Sequence, residues 1–97
     1  MKIKVGKSRY TVTFPDVVEP SCIVHGRVNY VDKTIQIAHR AGWPLRKISD
    51  KQKDATLWHE LTHAILEDMG SRKAADEVFV DELSKRMQQV AEQLLHG

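Results

Sequence analysis

The chain predicts an α+β fold, with a short N-terminal antiparallel or mixed β-sheet packed on two helices. Three observations carry that expectation. Alternation of apolar and polar residues with period two is confined to the first half of the chain. The second half opens on a helix start signal and then runs to Gly70 without glycine or proline. Beyond Gly70 a second apolar stripe at helical spacing continues almost to the C-terminus. Strands first and helices after is the pattern of segregated α+β domains.

The elements follow in order. In "KIKVGKSRYTVTF", Ile3 and Val5 alternate with lysines, and Tyr10, Val12 and Phe14 alternate with threonines. Gly6-Lys7 makes the turn of this first hairpin. "FPDVVEPS" carries Pro15 and Pro20 and reads as irregular. In "GRVNYVDKTIQIAHR", Val28 and Tyr30 alternate, Asp32-Lys33 turns, and Ile35 and Ile37 alternate again. Trp43-Pro44 closes the strand region. Ser49 followed three residues later by Gln52 is a capping-box pattern that starts the first helix, and Gly70 stands where a left-handed C-cap belongs. Trp58, Leu61, Ile65 and Met69 form its apolar stripe. Ser71 can cap a second helix running to about Leu95, with Val80, Leu83, Met87, Val90 and Leu94 as the stripe.

Ninety-seven residues suit one small core, so residues 1–97 are read as a single domain. Apolar content of 41% and charged content of 29% are ordinary for a globular chain. No apolar run approaches the ~18 residues of a membrane span, and the alternating N-terminus lacks the apolar stretch of a signal peptide. A cytoplasmic protein is the expectation. Cys22 is the only cysteine, which excludes a disulfide framework and a cysteine-based zinc site. The net charge is only +2 and no Lys/Arg block stands out, so Lys2, Lys4, Lys7 and Arg9 read as a solvated hairpin face rather than a nucleic-acid site.

The chemistry concentrates in "WHELTHAILEDMG", where His59, Glu60 and His63 spell HExxH. On a helix, residues four apart share a face, with Cβ atoms about 5–6 Å apart. Two imidazoles so placed can converge on one ion at Zn–N distances of about 2.0–2.1 Å. Glu60 is rotated by about 100° from His59 and can instead reach a water in the metal's open position, whose pKa zinc lowers to about 7. The carboxylate can take that water's proton and pass it to a leaving amine, the division of labour in metal-assisted peptide hydrolysis. The bland alternative is an amphipathic helix whose solvated face carries His, Glu and His.

A catalytic zinc site normally has three protein ligands. Leu66 and Met69 stand where HExxHxxGxxH needs glycine and histidine, which excludes that class. A carboxylate from the following helix is the other common choice. Glu77 is the preferred candidate, because stepping back three residues from Val80 along the apolar stripe lands on it, and a charge on a core-facing position needs a partner. Asp76, reached by stepping back four, is the weaker choice. Asp81, one turn after Glu77, can serve as a ligand or support one. Glu77 can equally be a first-turn acid favoured by the helix dipole. His25, His39 and His96 remain as other donors. His39 can line the cleft, and Tyr30 can assist an oxyanion.

"LWHELTHAILEDMG" and "DEVFVDELS", preceded by "NYVDKTIQIAH", resemble the minimal gluzincins, small HExxH proteins of phages, prophages and bacteria that are distantly related to the ImmA/IrrE-type metallopeptidases. The resemblance spans roughly Gly26 to Leu95, and most of its specificity lies in His59–His63. It implies a short sheet on the HExxH helix and an edge strand along the active-site cleft. It also implies zinc held by His59, His63 and Glu77, with Glu60 as general base. The implied partner is a protein or peptide substrate, and the implied setting is the bacterial cytoplasm, from a phage or prophage gene. "EVFVDELS" keeps the glutamate of the ImmA/IrrE-like "ExxANxFA" pattern but not the rest, so the small phage-type group is the closer match. The expected activity is a zinc-dependent endopeptidase. The alternative is a zinc-binding, catalytically quiet protein-interaction module, which the few residues left to wall a substrate site would suit.

Overall fold

The computed structural model describes residues 1–96, the side chain of His96 lying outside that description. Its elements run β1 (Lys2–Val5), β2 (Ser8–Thr13), β3 (Gly26–Asn29), β4 (Thr34–Ile37), β5 (Arg40–Ala41), β6 (Arg46–Lys47), α1 (Asp50–Asp68), a short 3₁₀ turn (Arg72–Ala75) and α2 (Glu77–His96). The architecture is α+β, a small mixed sheet with two helices.

Four strands form the main sheet in the order β1-β2-β4-β3. The two hairpins are each antiparallel, and they join through a parallel pairing of β2 with β4 that sets Val12 against Ile35. The irregular segment after Phe14 carries the chain past β4, which leaves β3 on the outer edge. Period-two alternation then gives the sheet one apolar face. Val5, Tyr10, Val12, Ile35 and Ile37 are buried there with Ala64 of α1, and Leu57, Leu61 and Ile65 pack on them. Each such fully buried side chain stabilises by roughly 1.5–3 kcal/mol.

The second turn differs from the expected two-residue Asp32-Lys33 turn. Strand β3 ends at Asn29, whose side-chain oxygen accepts from the Val31 and Asp32 amides at 3.0 and 2.9 Å. That local bonding competes with the ladder, so Tyr30 leaves the strand and sits in a four-residue turn. A small β5–β6 ribbon, not foreseen from its two-residue strands, holds Trp43 and Pro44 between them. Beneath it, Val18, Ala38, Ala41 and Ile48 make a second core.

Helix α1 starts as its sequence predicts. Ser49 and Gln52 form a reciprocal capping box. The helix ends in a Schellman arrangement around Gly70, with φ of 68°: the Ser71 amide donates to Leu66 and the Gly70 amide to Glu67. Met69, expected in the stripe, is 71% exposed because the helix has already ended and the chain turns away from the sheet.

Helix α2 starts differently from expectation. Ser71 caps the 3₁₀ turn, and Asp76 caps α2 by accepting the Phe79 amide at 3.0 Å. The helices pack through Leu66, Ala74, Val80 and Leu83, with small Thr62 and Ser84 also buried. The expected stripe faces the core only in its first half. Val90 and Leu94 are 55% and 81% exposed, where they line a shallow apolar hollow with Trp58, Met87 and Ala91. Trp58 is half-buried and lies beside Met87 and Val90. No helix among the described residues is long and apolar enough to cross a membrane.

Candidate metal centre

His59 and His63 sit one above the other on α1, on the side facing the chain reversal. The 3₁₀ turn brings the Ala74 carbonyl to His63 Nδ1 at 2.6 Å. A carbonyl only accepts, so His63 carries its proton on Nδ1 and presents the Nε2 lone pair to the cleft. His63 is itself buried.

The Asp76 cap places Glu77 as the first residue of α2, directly over the two rings. His59 Nε2 lies 3.0 Å from Glu77 Oε2, His63 Nε2 lies 3.1 Å from Glu77 Oε1, and the two Nε2 atoms are 3.2 Å apart. These distances test the fit of a metal. Donors about 2.0–2.1 Å from a tetrahedral centre lie about 3.3 Å apart, which these separations approach. A lone-pair nitrogen facing a carboxylate oxygen and a second imidazole nitrogen needs a proton or a cation between them, and the donor set suits zinc. Among the described residues, His59, His63 and Glu77 are the group whose donor atoms could hold a metal ion together.

Glu77 reaches the histidines by a route the apolar stripe does not describe. Its side chain is 71% exposed, so it is not a charge stranded on a packed face. It is the first residue of the helix, because Asp76 and not Ser71 supplies the cap. Asp76 is occupied by that role, and the Phe79 amide holds its carboxyl below the usual range. Asp81, one turn on, has Oδ1 3.6 Å from His59 Nδ1 and makes a 2.8 Å ion pair with Lys85 that lowers its pKa, with His59 assisting. It faces Nδ1 of the first imidazole from beyond hydrogen-bond distance, whereas the Ala74 carbonyl bonds Nδ1 of the second.

Glu60 is buried, 7% exposed, and turned from the two rings toward β3. It accepts no hydrogen bond among the described side chains. Burial pushes its pKa up to about 7, the nearby His63 opposes that, and Glu77 adds to it. The reason it is so enclosed is Gly26. A Cβ at Gly26 would stand 2.6 Å from Thr56 Cγ2 and 3.4 Å from Glu60 Oε2, so only glycine lets the edge strand pass this close to α1.

Two hollows of about 320 and 450 Å³ flank this point and share Gly26, His59 and Glu60. One runs past His25 and Asp81, and the other past Val28, Tyr30 and Ala75. Together they make a trough along β3. Tyr30 lines it from the turn, and burial raises its phenol pKa. His25 stands at the far end without joining the triad. His39 lies elsewhere, its ring tilted against that of Phe14 and its Nδ1 2.6 Å from Lys53 Nζ. The His96 side chain lies outside the described residues.

Sequence reasoning overlooked Gly26 and Ala74. Gly26 is the first residue of an alternating strand, where an unexplained glycine signals close backbone approach. Ala74 acts through its carbonyl, which no side-chain pattern announces. No family model, curated protein or solved structure matches the chain.

Proposed function

We propose that this chain is a zinc-dependent metallopeptidase of minimal gluzincin type, with His59, His63 and Glu77 as the metal ligands and Glu60 as the general base. The observation that carries the reading is the convergence of the two imidazole Nε2 atoms, 3.2 Å apart, on the two oxygens of the Glu77 carboxylate at 3.0 and 3.1 Å, beside the buried side chain of Glu60. A solvated amphipathic helix would give neither.

Zinc in such a site supplies Lewis acidity, lowering the pKa of water to about 7 and polarising a carbonyl. The chain's own residues divide the remaining work. Ala74 holds the His63 imidazole in orientation from behind, and Asp81 faces Nδ1 of His59 at 3.6 Å, within reach of an outer contact. Glu60, walled by Gly26 and Thr56, accepts the proton of the attacking water and returns it to the departing amine. Strand β3, on the open edge of the sheet, gives an extended peptide a rail past Glu60.

The second reading, a zinc-binding but catalytically quiet interaction module, uses the same triad and has no need of Glu60. Glu60→Gln separates the two. The amide keeps the shape but cannot take a proton at neutral pH. With a quenched fluorogenic peptide library and added zinc, the parent is expected to cleave. Glu60→Gln should hold zinc within a few fold of the parent yet lose activity by roughly 10²–10⁴-fold. A parent inactive across the library, with zinc bound, would favour the quiet module. A Glu60→Gln variant as fast as the parent would overturn the assigned base.

A further inference from the structure

We propose that the face of the main sheet turned away from the helices binds the phosphate backbone of a nucleic acid, independently of the metal centre. The strand register decides which side chains share this face. Lys2, Lys4, Arg9 and Arg27 all project there, with Thr11 and Thr34 between them. All four cations are exposed. No aspartate or glutamate occupies a strand position on this face, and none of the four cations makes an ion pair among the described residues. The carboxylate of Asp32 in the β3–β4 turn is held by the Asn29 amide at 3.2 Å.

Net charge conceals this arrangement. Residues 1–47 hold nine Lys and Arg against three Asp and Glu, a surplus of six positive charges. Residues 48–97 hold six against ten, a surplus of four negative charges. These nearly cancel to the +2 of the whole chain. Such asymmetry between halves points to a polyanionic partner for the basic half. Lys4 and Arg9 stand directly opposite each other across β1 and β2. Like charges so paired destabilise a sheet. A row of phosphates would relieve that repulsion.

The chemistry of the face selects among polyanions. It carries lysine, arginine, threonine and amide side chains and no aromatic or large aliphatic one, so nothing on it enters the apolar layer of a membrane as interfacial anchors do. The absence of aromatics also removes base stacking. What remains is contact with phosphate oxygens by cations and hydroxyls, which positions a protein on nucleic acid without reading its sequence. Arg27 is already oriented for this, with Nε donating to Gln36 Oε1 at 2.8 Å, which leaves the outer guanidinium nitrogens for phosphate.

The test is fluorescence anisotropy of the full chain with a labelled duplex of about 20 base pairs, at about 50 and about 200 mM salt. Four neutralised phosphates predict a log–log salt slope near −3.6, roughly a hundredfold loss of affinity over that range. Charge reversal at Lys4 and Arg9 together should weaken binding by at least about tenfold, and the conservative swap Lys4→Arg with Arg9→Lys should restore it. Lys73→Glu, a control on the helical side, should change it less than about twofold. No binding at the lower salt, or equal losses in the control and the double reversal, would overturn the proposal. So would binding that is at least as tight to anionic phospholipid vesicles or to polyglutamate as to the oligonucleotide. The two exposed positions contribute no core contacts, and a melting curve for each variant separates lost binding from lost folding. Should the double reversal not fold, Lys2→Gln with Arg27→Gln carries the same expectation.

Discussion

Helix α1 supplies its two donors four residues apart within one unbroken, capped helix, whereas α2 supplies its donor as its first residue, behind a 3₁₀ turn. In α1 the spacing of His59 and His63 follows from helix geometry alone, and removing either cap would leave it intact. In α2 the place of Glu77 depends on where the helix begins. That depends on Asp76 bonding Phe79 and on the turn that delivers Ala74 to His63. Ligands on a helix interior are fixed by the period, and a ligand at a helix end is fixed by its cap.

The largest expected effect is on the pair in α1. His63→Ala removes a donor and orphans the Ala74 carbonyl, and it should weaken zinc by more than the roughly 10–100-fold that outer partners typically cost. Competition against a chromogenic chelator measures it. The parent should also melt higher with zinc than without. At free zinc a hundredfold above Kd the gain is about 2.7 kcal/mol, or roughly 10–20 °C for a domain of this size. An unchanged melting curve for the parent would mean that the triad does not hold metal in the native state.

Next comes the donor at the helix end. Glu77→Ala should weaken zinc by about a hundredfold, and Asp81→Asn, which disturbs only the support behind His59, by about tenfold or less. If Asp81→Asn proves the worse of the two, the carboxylate at 81 is the ligand and Glu77 is an ordinary first-turn acid.

The smallest effects separate the helices most cleanly. Ser49→Ala removes the α1 cap and should cost about 1 kcal/mol of stability while leaving zinc affinity unchanged. Asp76→Ala removes the α2 cap, and it should lower the melting temperature by a similar amount and also weaken zinc severalfold, because Glu77 then loses its fixed place. Equal zinc affinity in the two cap variants would show that the metal, and not the cap, sets the position of Glu77.

The strands of both hairpins, the capping box at Ser49 and the end of α1 at Gly70 were legible in the chain because each is written in a local pattern: alternation, a three-residue offset, a glycine. The Asn29 turn was missed because one side chain's bonds to two amides outrank strand propensity. The expected apolar stripe of α2 did not stay buried at Val90 and Leu94, because a stripe says which face is apolar but not whether a partner covers it.

What the sequence determined by itself is the juxtaposition of His59 with His63 and the offset of Glu60 from both, since 3.6 residues per turn leaves no freedom there. Only the tertiary structure decided that Glu77 meets them, that Ala74 and Asp81 stand behind the rings, and that Gly26 closes over Glu60. It likewise decided that Arg27 joins Lys2, Lys4 and Arg9 on one face, because the parallel pairing of β2 with β4 joins the two hairpins into one sheet in this register. The physical reason is common to all of these. Within one helix or strand the backbone repeat converts sequence distance into spatial distance, but between elements that conversion is made by packing, by caps and by the order in which strands pair.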